Sequence, residues 1–241
     1  MPATTSRLGR VSTWLGRLCL LTVFLGPALA HFWIAAPFAG FVVFLVGVLF
    51  GVLAVVFGLL ALLIGPAGSR GGTLAGMAVG LIVVVAVVLM LVTHRDIPRI
   101  NDITTDTDTP PQFVNASTLP ENAGRDMGYP GPSFAEQQKA GYPDLAPLVL
   151  AMPPDEAFKQ VAAAARSMPN WVITREDASA HALEGYDTTR LFHFRDDFVI
   201  EVRPTPNGQS AVQMRSKSRD GKGDVGANAA RIRAFFNRLK S

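Results

Sequence analysis

The sequence predicts an α+β protein: N-terminal transmembrane helices followed by a two-layer domain of antiparallel sheet with two flanking helices. The charge distribution predicts the division, because all nineteen acidic residues lie after residue 95. Composition agrees, since residues 1–94 consist mostly of Leu, Val, Phe, Ala and Gly. From residue 153 onward, helical and strand-like hydrophobic spacings follow one another. We therefore expect a membrane part at residues 1–94 and a soluble domain at residues 95–241.

The first part contains three apolar stretches, at about Leu18–Ile34, Ala36–Ile64 and Leu74–Val92. Because roughly 20 apolar residues suffice for a helix to cross a bilayer, each stretch predicts a transmembrane helix. The first stretch has a second interpretation, a cleaved signal peptide that ends near Ala28-Leu29-Ala30. We favour a retained span, since another long apolar stretch follows at once. The expected partner is the lipid bilayer, and the expected location is the cell (inner) membrane, as a multi-pass protein.

The positions of the basic residues predict the orientation of these spans. The membrane part contains four arginines, Arg7, Arg10, Arg17 and Arg70. Arg7, Arg10 and Arg17 precede the first apolar stretch, and Arg70 lies in the loop between the second and third spans. Both positions favour the cytoplasm. The soluble domain then lies outside the cytoplasm, although Arg95 and Arg99, just after the third span, favour the opposite orientation.

Glycines in the second and third stretches recur on one helix face each. They are Gly40, Gly47, Gly51 and Gly58 in the second stretch, and Gly72, Gly76 and Gly80 in the third. Small residues let helix backbones approach closely in lipid. We expect the two faces to meet each other or a partner helix, so that other membrane proteins could bind through Gly47, Gly51, Gly76 and Gly80. The general abundance of glycine in membrane helices explains the pattern equally well.

The soluble part begins with a proline-rich stretch, residues 96–150, which predicts an extended connection. A helix is expected at about 155–168, because Phe158, Val161, Ala162 and Ala165 recur at helical spacing. Strand candidates follow at Trp171–Arg175, Ala180–Tyr186, Arg190–Phe194, Phe198–Arg203 and Ala211–Lys217. The pair Asp196-Asp197 is expected in a hairpin turn. A helix at about Val225–Lys240 closes the domain.

The basic stretch between residues 215 and 240 is the strongest candidate for a binding site. It holds eight basic residues and two acidic ones, and a glycine-rich turn leads into its helix. Backbone N–H groups at a helix start, together with Arg and Lys, form anion sites. One interpretation is therefore a phosphate or carboxylate held by Arg215, Arg219 and Lys222. The favoured interpretation is structural: Asp224 caps the helix, and Arg219 pairs with Asp220, Asp224 or Asp197.

Other residue patterns predict neither a catalytic set nor a metal or cofactor site. The four histidines lack the spacing of metal ligands, and no serine stands in a Gly-x-Ser-x-Gly motif. Residues 95–241 contain 18 basic and 19 acidic residues, so we expect no nucleic-acid partner. A hydrolase remains open as an alternative, with Asp196, Asp197, Asp224 and Arg219 near a cleft.

Three motifs of the soluble part resemble a known family. They are Ile100-Asn-Asp-Ile-Thr-Thr-Asp-Thr-Asp-Thr-Pro-Pro-Gln-Phe113, Phe192-His-Phe-Arg-Asp-Asp197, and Arg215-Ser-Lys-Ser-Arg219 with Gly221, Asp224, Gly226, Asn228, Arg231 and Ile232. Over about residues 97–240 the sequence resembles the family catalogued as domain of unknown function 1499. It departs from the family at Asp220, where an apolar residue is expected, and at Gly223, where serine is expected. The resemblance implies no activity, but it implies that the Thr-Thr-Asp segment belongs to the folded domain and meets the basic last motif.

Together these observations predict a non-catalytic, membrane-anchored envelope protein whose soluble domain binds a partner or a small anionic ligand. The predicted ligand-binding residues are Arg215, Ser218, Arg219, Lys222, Asp224, Thr105 and Asp106. One alternative is an envelope hydrolase with an acidic and arginine-containing site. Another is a structural protein that assembles with other membrane proteins through its glycine faces.

Overall fold

The computed structural model describes residues 6–65 and 70–240 of the chain. Residues 66–69, in the loop that carries Arg70, lie outside the described residues. The chain divides into two compact units. One comprises Met1–Arg95 with Arg190–His193, and the other comprises Asp96–Thr189 with Phe194–Ser241.

The first unit contains the helices α1 (Arg7–His31), α2 (Pro37–Ile64) and α3 (Gly71–Thr93). By length and composition, all three are able to cross a membrane. Helix α1 begins at Arg7, well before the predicted start at Leu18. The cause is a cap, because the Ser6 hydroxyl oxygen accepts a hydrogen bond from the Gly9 N–H at 3.0 Å. Such a cap satisfies one of the N–H groups that a helix start leaves unpaired.

Glycines bring the three helix backbones into contact. A Cβ atom added to Gly80 in α3 would collide with the carbonyl oxygen of Gly51 in α2. The two predicted glycine faces therefore meet at this pair. Other members of these faces pack on α1: Gly40 lies against Gly26, and Gly76 lies against Ser12. Within the described residues, these glycines thus serve contacts between helices of the same chain.

The second unit is built on an antiparallel sheet, which confirms the predicted α+β class. Its strands are β1 (Asp102–Thr104), β2 (Leu148–Leu150), β3 (Trp171–Asp177), β4 (Ala182–Thr188), β5 (Arg195–Pro204) and β6 (Ser210–Ser218). The strand order is β1-β6-β5-β4-β3, and β2 pairs with a separate part of β6. Its helices are α4 (Pro132–Gly141), α5 (Pro154–Ser167) and α6 (Ala227–Lys240).

The apolar core lies between the sheet and the helices α5 and α6. Alternation along β5 points Phe198, Ile200 and Val202 into this core, where all three are buried. The Trp171 ring packs on Phe198 in a tilted arrangement, with 4.1 Å between ring centroids. Helix α6 contributes an apolar stripe to the same cluster, including Phe235. The hydrophobic periods of 2 residues in the strands and 3.6 residues in the helices therefore predicted this face of the sheet correctly.

The opposite face of the sheet is covered by residues that the sequence predicted as a connection. Phe113, Ala116 and Met127 pack on Val199 of β5. Contrary to the prediction, residues 96–150 are not simply extended, because they contain β1, α4, β2 and two short 3-10 helices. Two prolines begin helices here, since Pro120 begins the second 3-10 helix and Pro132 begins α4, and proline is well suited to a first helical position.

Two predictions at the end of the sheet are wrong. Arg190–Phe194 forms no strand, because the β4–β5 ladder ends at the pair Thr188 and Arg195 and the chain turns between them. Asp196 and Asp197 lie inside β5 rather than in the turn. The predicted helix at about Val225–Lys240 is present as α6, which begins at Ala227 because the φ angles of Val225 and Gly226, 52° and 84°, lie outside the right-handed helical region.

Candidate functional site

Strand β1 joins the first and last motifs of the soluble part. Asp102 is paired with Lys217, and Thr104 with Arg215, in the antiparallel ladder of β1 and β6. The Arg215 guanidinium donates from Nε to Asp102 Oδ1 and from Nη2 to Oδ2, each at 2.8 Å. Lys217 Nζ donates to the same Oδ2 at 2.8 Å. The implication of the resemblance, that the acidic and basic motifs meet, is therefore confirmed.

Arg215 is enclosed completely by the second unit. Its side chain has no exposed surface, and its Nη1 and Nη2 also donate to the carbonyl oxygens of Pro111 and Met127. The rings of Phe113 and Tyr129 lie 4.8 and 5.5 Å from the guanidinium carbon. Every contact of this cation is thus internal, and its charge is neutralised by a buried carboxylate.

Arg219 forms the second ion pair of this face. Its Nε donates to Asp197 Oδ2 at 3.0 Å, and its Nη2 donates to Oδ1 at 2.6 Å. Asn122 Nδ2 donates to Asp197 Oδ2 at 3.0 Å, and Arg125 Nη1 lies 3.4 Å from the same oxygen. Arg219 thus uses one of the three carboxylate partners that the sequence offered.

The neighbouring carboxylate, Asp196, lies on the other face of the sheet, because successive strand residues point in opposite directions. Arg231 of α6 donates from Nη2 to Asp196 at 2.6 Å and from Nε to Asp187 at 2.8 Å. Burial raises the pKa of Asp187, and the nearby Arg231 opposes that rise. Asp196 and Asp197 therefore do not form the carboxylate pair that acid–base catalysis at one cleft would need.

Asp224 and Ser218 hold the start of α6. Asp224 Oδ1 accepts from the Gly226 N–H at 2.8 Å, and Oδ2 accepts from the Asn228 N–H at 2.9 Å. The Ser218 hydroxyl oxygen accepts from Asn228 Nδ2 at 2.9 Å. Burial raises the pKa of Asp224, and the two backbone hydrogen bonds counteract this effect. The predicted helix cap at Asp224 is present.

Thr105, Asp106 and Lys222 complete the set of predicted ligand residues. The Thr105 hydroxyl oxygen accepts from the Met214 N–H at 2.9 Å and so continues the attachment of β1 to β6. Asp106 accepts hydrogen bonds from the N–H groups of Asp108 and Thr109 and folds its own turn. Lys222 lies exposed on the turn before α6. The structure thus brings Thr105, Arg215 and Asp102 together, but it leaves Lys222 apart.

Glu184 is a buried residue that the sequence did not single out. Its carboxylate has no exposed surface and accepts hydrogen bonds from the N–H groups of Val114, Asn115 and Ala116 at 2.9–3.1 Å. Arg175 lies 3.3 Å from the same carboxylate. Glu184 therefore attaches the covering segment to the sheet. In the sequence, its position within a predicted strand was the only indication of a buried role, because its partners lie about seventy residues away.

An open groove lies beside α4. It consists of two adjoining cavities of about 560 and 790 Å³, which share Thr107, Asp108 and Lys139. Lys139 and Asp108 form an exposed ion pair of 3.5 Å at the junction. We call these two cavities the α4 groove. Thr105 and Asp106 line its smaller cavity, so two of the predicted ligand residues lie at its edge.

The wall of the α4 groove is fixed by Gln138. Its side-chain oxygen accepts from the Thr104 N–H at 2.9 Å, and its side-chain nitrogen donates to the Thr104 carbonyl at 2.6 Å. The amide thus pairs with β1 as a neighbouring strand would. Tyr129 lines the larger cavity, and no described residue forms a hydrogen bond with its buried hydroxyl. Burial and the charge of Asp102 raise the pKa of Tyr129 to about 12, against the influence of Arg215.

The described residues hold no group of three or more His, Cys, Asp or Glu that could bind a metal ion. Comparison with models of known protein families gives a match. The profile of a family described as "Protein of unknown function (DUF1499)" matches residues 102–239. A search of curated proteins gives no match. The matched range starts at β1 and ends in α6, so it includes both motifs that the ion pairs join.

Proposed function

The chain belongs to the family of proteins of unknown function DUF1499, and from this membership and the geometry above we propose a membrane-anchored, non-catalytic binding protein of the cell envelope. Its second unit binds an extended polypeptide segment of a partner protein. The α4 groove is the observation that carries this proposal. The three long apolar helices provide the anchor, as a multi-pass protein of the cell (inner) membrane.

Four arginines of the first unit support an orientation with the second unit outside the cytoplasm, whereas Arg95 and Arg99 after α3 favour the opposite one. Arg7, Arg10 and Arg17 lie in the first half of α1, and Arg70 precedes α3. Basic residues near the ends of spans favour the cytoplasm. Since three spans separate the start of α1 from the second unit, that unit then emerges on the other side of the membrane. A protease-protection assay on spheroplasts tests this, and resistance of residues 96–240 to added protease would contradict it.

The buried charges support binding rather than catalysis. Asp102, Asp196 and Asp197 each face a guanidinium inside the second unit and are at most 3% exposed. A catalytic carboxylate must reach a substrate, and a nucleophile needs a base within hydrogen-bond distance. These groups have no such access, so their role is to hold segments of the chain together.

The shape and charge of the α4 groove favour a chain-like partner over a small anion. Two adjoining cavities that share lining residues suit an elongated ligand, whereas a small ligand usually occupies one enclosed pocket. Asp106, Asp108 and Glu136 contribute three negative charges to the lining, and Lys139 contributes one positive charge. The cations proposed for an anion, Arg215 and Arg219, are neutralised inside the unit. We therefore assign the groove to a neutral or basic polypeptide segment.

Site-specific photo-cross-linking in living cells tests the proposal. A cross-linking amino acid replaces Glu136, an exposed residue of the groove, and a control replaces the exposed Lys159 on α5. We expect a discrete protein adduct from position 136 and none from position 159. Ala135→Trp, which fills the larger cavity, should abolish the adduct without lowering the melting temperature. Equal adducts at both positions, or an adduct that survives Ala135→Trp, would refute binding in the groove.

A further inference from the structure

The cations of α1 have no carboxylate partner in their own unit. Residues 1–95 contain no Asp or Glu, and neither does the segment 190–193. Arg7 and Arg10 are both exposed. A guanidinium at a membrane surface is stabilised by anions that it can bind in a bidentate fashion, such as phosphate. The first unit thus presents positive charge that it cannot neutralise itself.

These arginines open onto a shallow groove along one face of α1. The groove has a volume of about 450 Å³ and is lined by Arg7, Arg10, Val11, Trp14, Leu15 and Leu18. This spacing of three and four residues follows a single helix face. From Arg7 to Leu18 the face is about 16 Å long, since a helix rises ~1.5 Å per residue. That length reaches from the headgroup level into one leaflet, whose hydrocarbon makes up half of the ~30 Å core of a bilayer.

The order of residues along the face matches the order of groups in a phospholipid. The two guanidinium groups come first, an exposed Trp14 follows, and aliphatic side chains end the groove. Tryptophan prefers the level of lipid headgroups. The Arg17 guanidinium lies 5.0 Å from the centre of the Trp14 ring and holds it at this level. The charged end of the groove therefore lies at headgroup depth.

Further positive charge lies at the same end of the helix bundle. A Cβ atom on Gly65, after α2, would lie 3.2 Å from Ser6 Oγ, and one on Gly72 would lie 3.0 Å from Thr13 Oγ1. The end of α2 and the start of α3, with Arg70, are thus neighbours of the first turns of α1. Anionic lipids are concentrated in the cytoplasmic leaflet, where basic residues attract them.

We propose that this groove binds one anionic phospholipid. Arg7 and Arg10 hold the lipid phosphate, the glycerol region lies along Val11 and Trp14, and an acyl chain begins at Leu15 and Leu18. A zwitterionic lipid of the same chain length presents its phosphate beside a cation and binds less well. Arg70 adds to the overall positive electrostatic field at this end of the helix bundle but does not contact this lipid.

Native mass spectrometry of the full-length protein, released from mixed nanodiscs, tests this site. The probes are phosphatidylglycerol and phosphatidylcholine with identical acyl chains. We expect the wild-type protein to retain one phosphatidylglycerol in preference to phosphatidylcholine. Arg7→Gln combined with Arg10→Gln should reduce that preference about 25-fold, because each basic residue near an anionic surface contributes roughly a factor of five. Arg70→Gln, the matched control outside the groove, should keep most of the preference.

Each of the other outcomes overturns the proposal. Equal retention of the two lipids by the wild-type protein refutes selectivity without the use of any variant. An equal loss in Arg70→Gln assigns the preference to the general field of the bundle. If soluble glycerophosphoglycerol displaces the lipid at equal concentration, the site recognises phosphate alone and the acyl chain has no role.

Discussion

Asp102 and Arg215 form a doubly hydrogen-bonded ion pair in which neither side chain is exposed. Asp102 lies near the start of the second unit, and Arg215 lies in the strand β6. The pair therefore closes a loop of more than one hundred residues. Because both charges are removed from water, each depends on the other, and the loss of one leaves the other buried and uncompensated.

We therefore expect Asp102→Ala to destabilise the protein by about 3–5 kcal/mol, the usual cost of breaking a buried ion pair. Thermal unfolding of the full-length protein in detergent measures the loss. Asp108→Ala is the matched control, because this carboxylate is 87% exposed in its ion pair with Lys139. The control should change stability by less than about 1 kcal/mol. A similar loss in both variants would contradict the dominant role of the buried pair.

A double variant separates the missing contact from the uncompensated charge. Asp102→Leu together with Arg215→Met removes both charges of this pair and keeps an apolar volume of similar size, and it leaves Lys217, whose side chain is 10% exposed, without its Asp102 partner. We expect it to recover a large part of the stability that Asp102→Ala loses, because well-packed apolar groups replace buried ion pairs at little cost. A double variant as unstable as Asp102→Ala would show that the hydrogen bonds to Pro111 and Met127 matter more than the charge balance.

The contrast between Phe198 and Glu184 shows how far the sequence predicts this fold. Phe198 alternates with polar neighbours, and this local period correctly predicts a strand with one buried face. Glu184 also lies in a predicted strand, but its partners are N–H groups near residue 115. A long-range contact of a single carboxylate produces no periodic pattern in the sequence. For the same reason the basic stretch around Arg215 was open to two interpretations until its carboxylates were located.

The role of Glu184 leads to a local prediction. Glu184→Gln removes the charge and one acceptor oxygen, so at least one of the three backbone N–H groups loses its partner. We expect a loss of about 2 kcal/mol, since an unsatisfied buried polar group costs ~1–3 kcal/mol. Hydrogen exchange should show faster exchange at Val114–Ala116, whereas the β5–β6 ladder should keep its protection. Glu176→Gln, on a partly exposed ion pair with Arg166, should leave both regions unchanged.

The cap of α6 predicts a pH dependence of stability. Burial raises the pKa of Asp224 in the folded protein above its unfolded value of about 3.9. The folded state then holds the proton more tightly, so stability decreases as pH rises through the interval above about 3.9. Asp224→Asn lacks this titration. In urea unfolding between pH 3 and 7, the stability of wild type relative to this variant should therefore decrease as pH rises.

Asp144 provides the control of opposite sign. The hydrogen bonds from Arg233 lower the pKa of this carboxyl in the folded protein. Its contribution to stability is present above about pH 3.9 and is lost as the pH falls through the folded pKa. The stability of wild type relative to Asp144→Asn should therefore increase as pH rises. Identical slopes for the two variants would contradict the assigned environments of both carboxyls.

The contact between Gly51 and Gly80 predicts how the helix bundle responds to one methyl group. Gly80→Ala places a Cβ atom against the carbonyl oxygen of Gly51, a backbone atom that cannot rotate away. Helices α2 and α3 must then separate, which loses packing along their whole contact. Overpacking of this kind costs about 1–3 kcal/mol, so the bundle should melt at a lower temperature in detergent. Gly71→Ala, in the same helix, is the control, because a Cβ atom there meets nothing within 4 Å. If both alanines have the same effect, helix propensity rather than backbone contact accounts for the glycines.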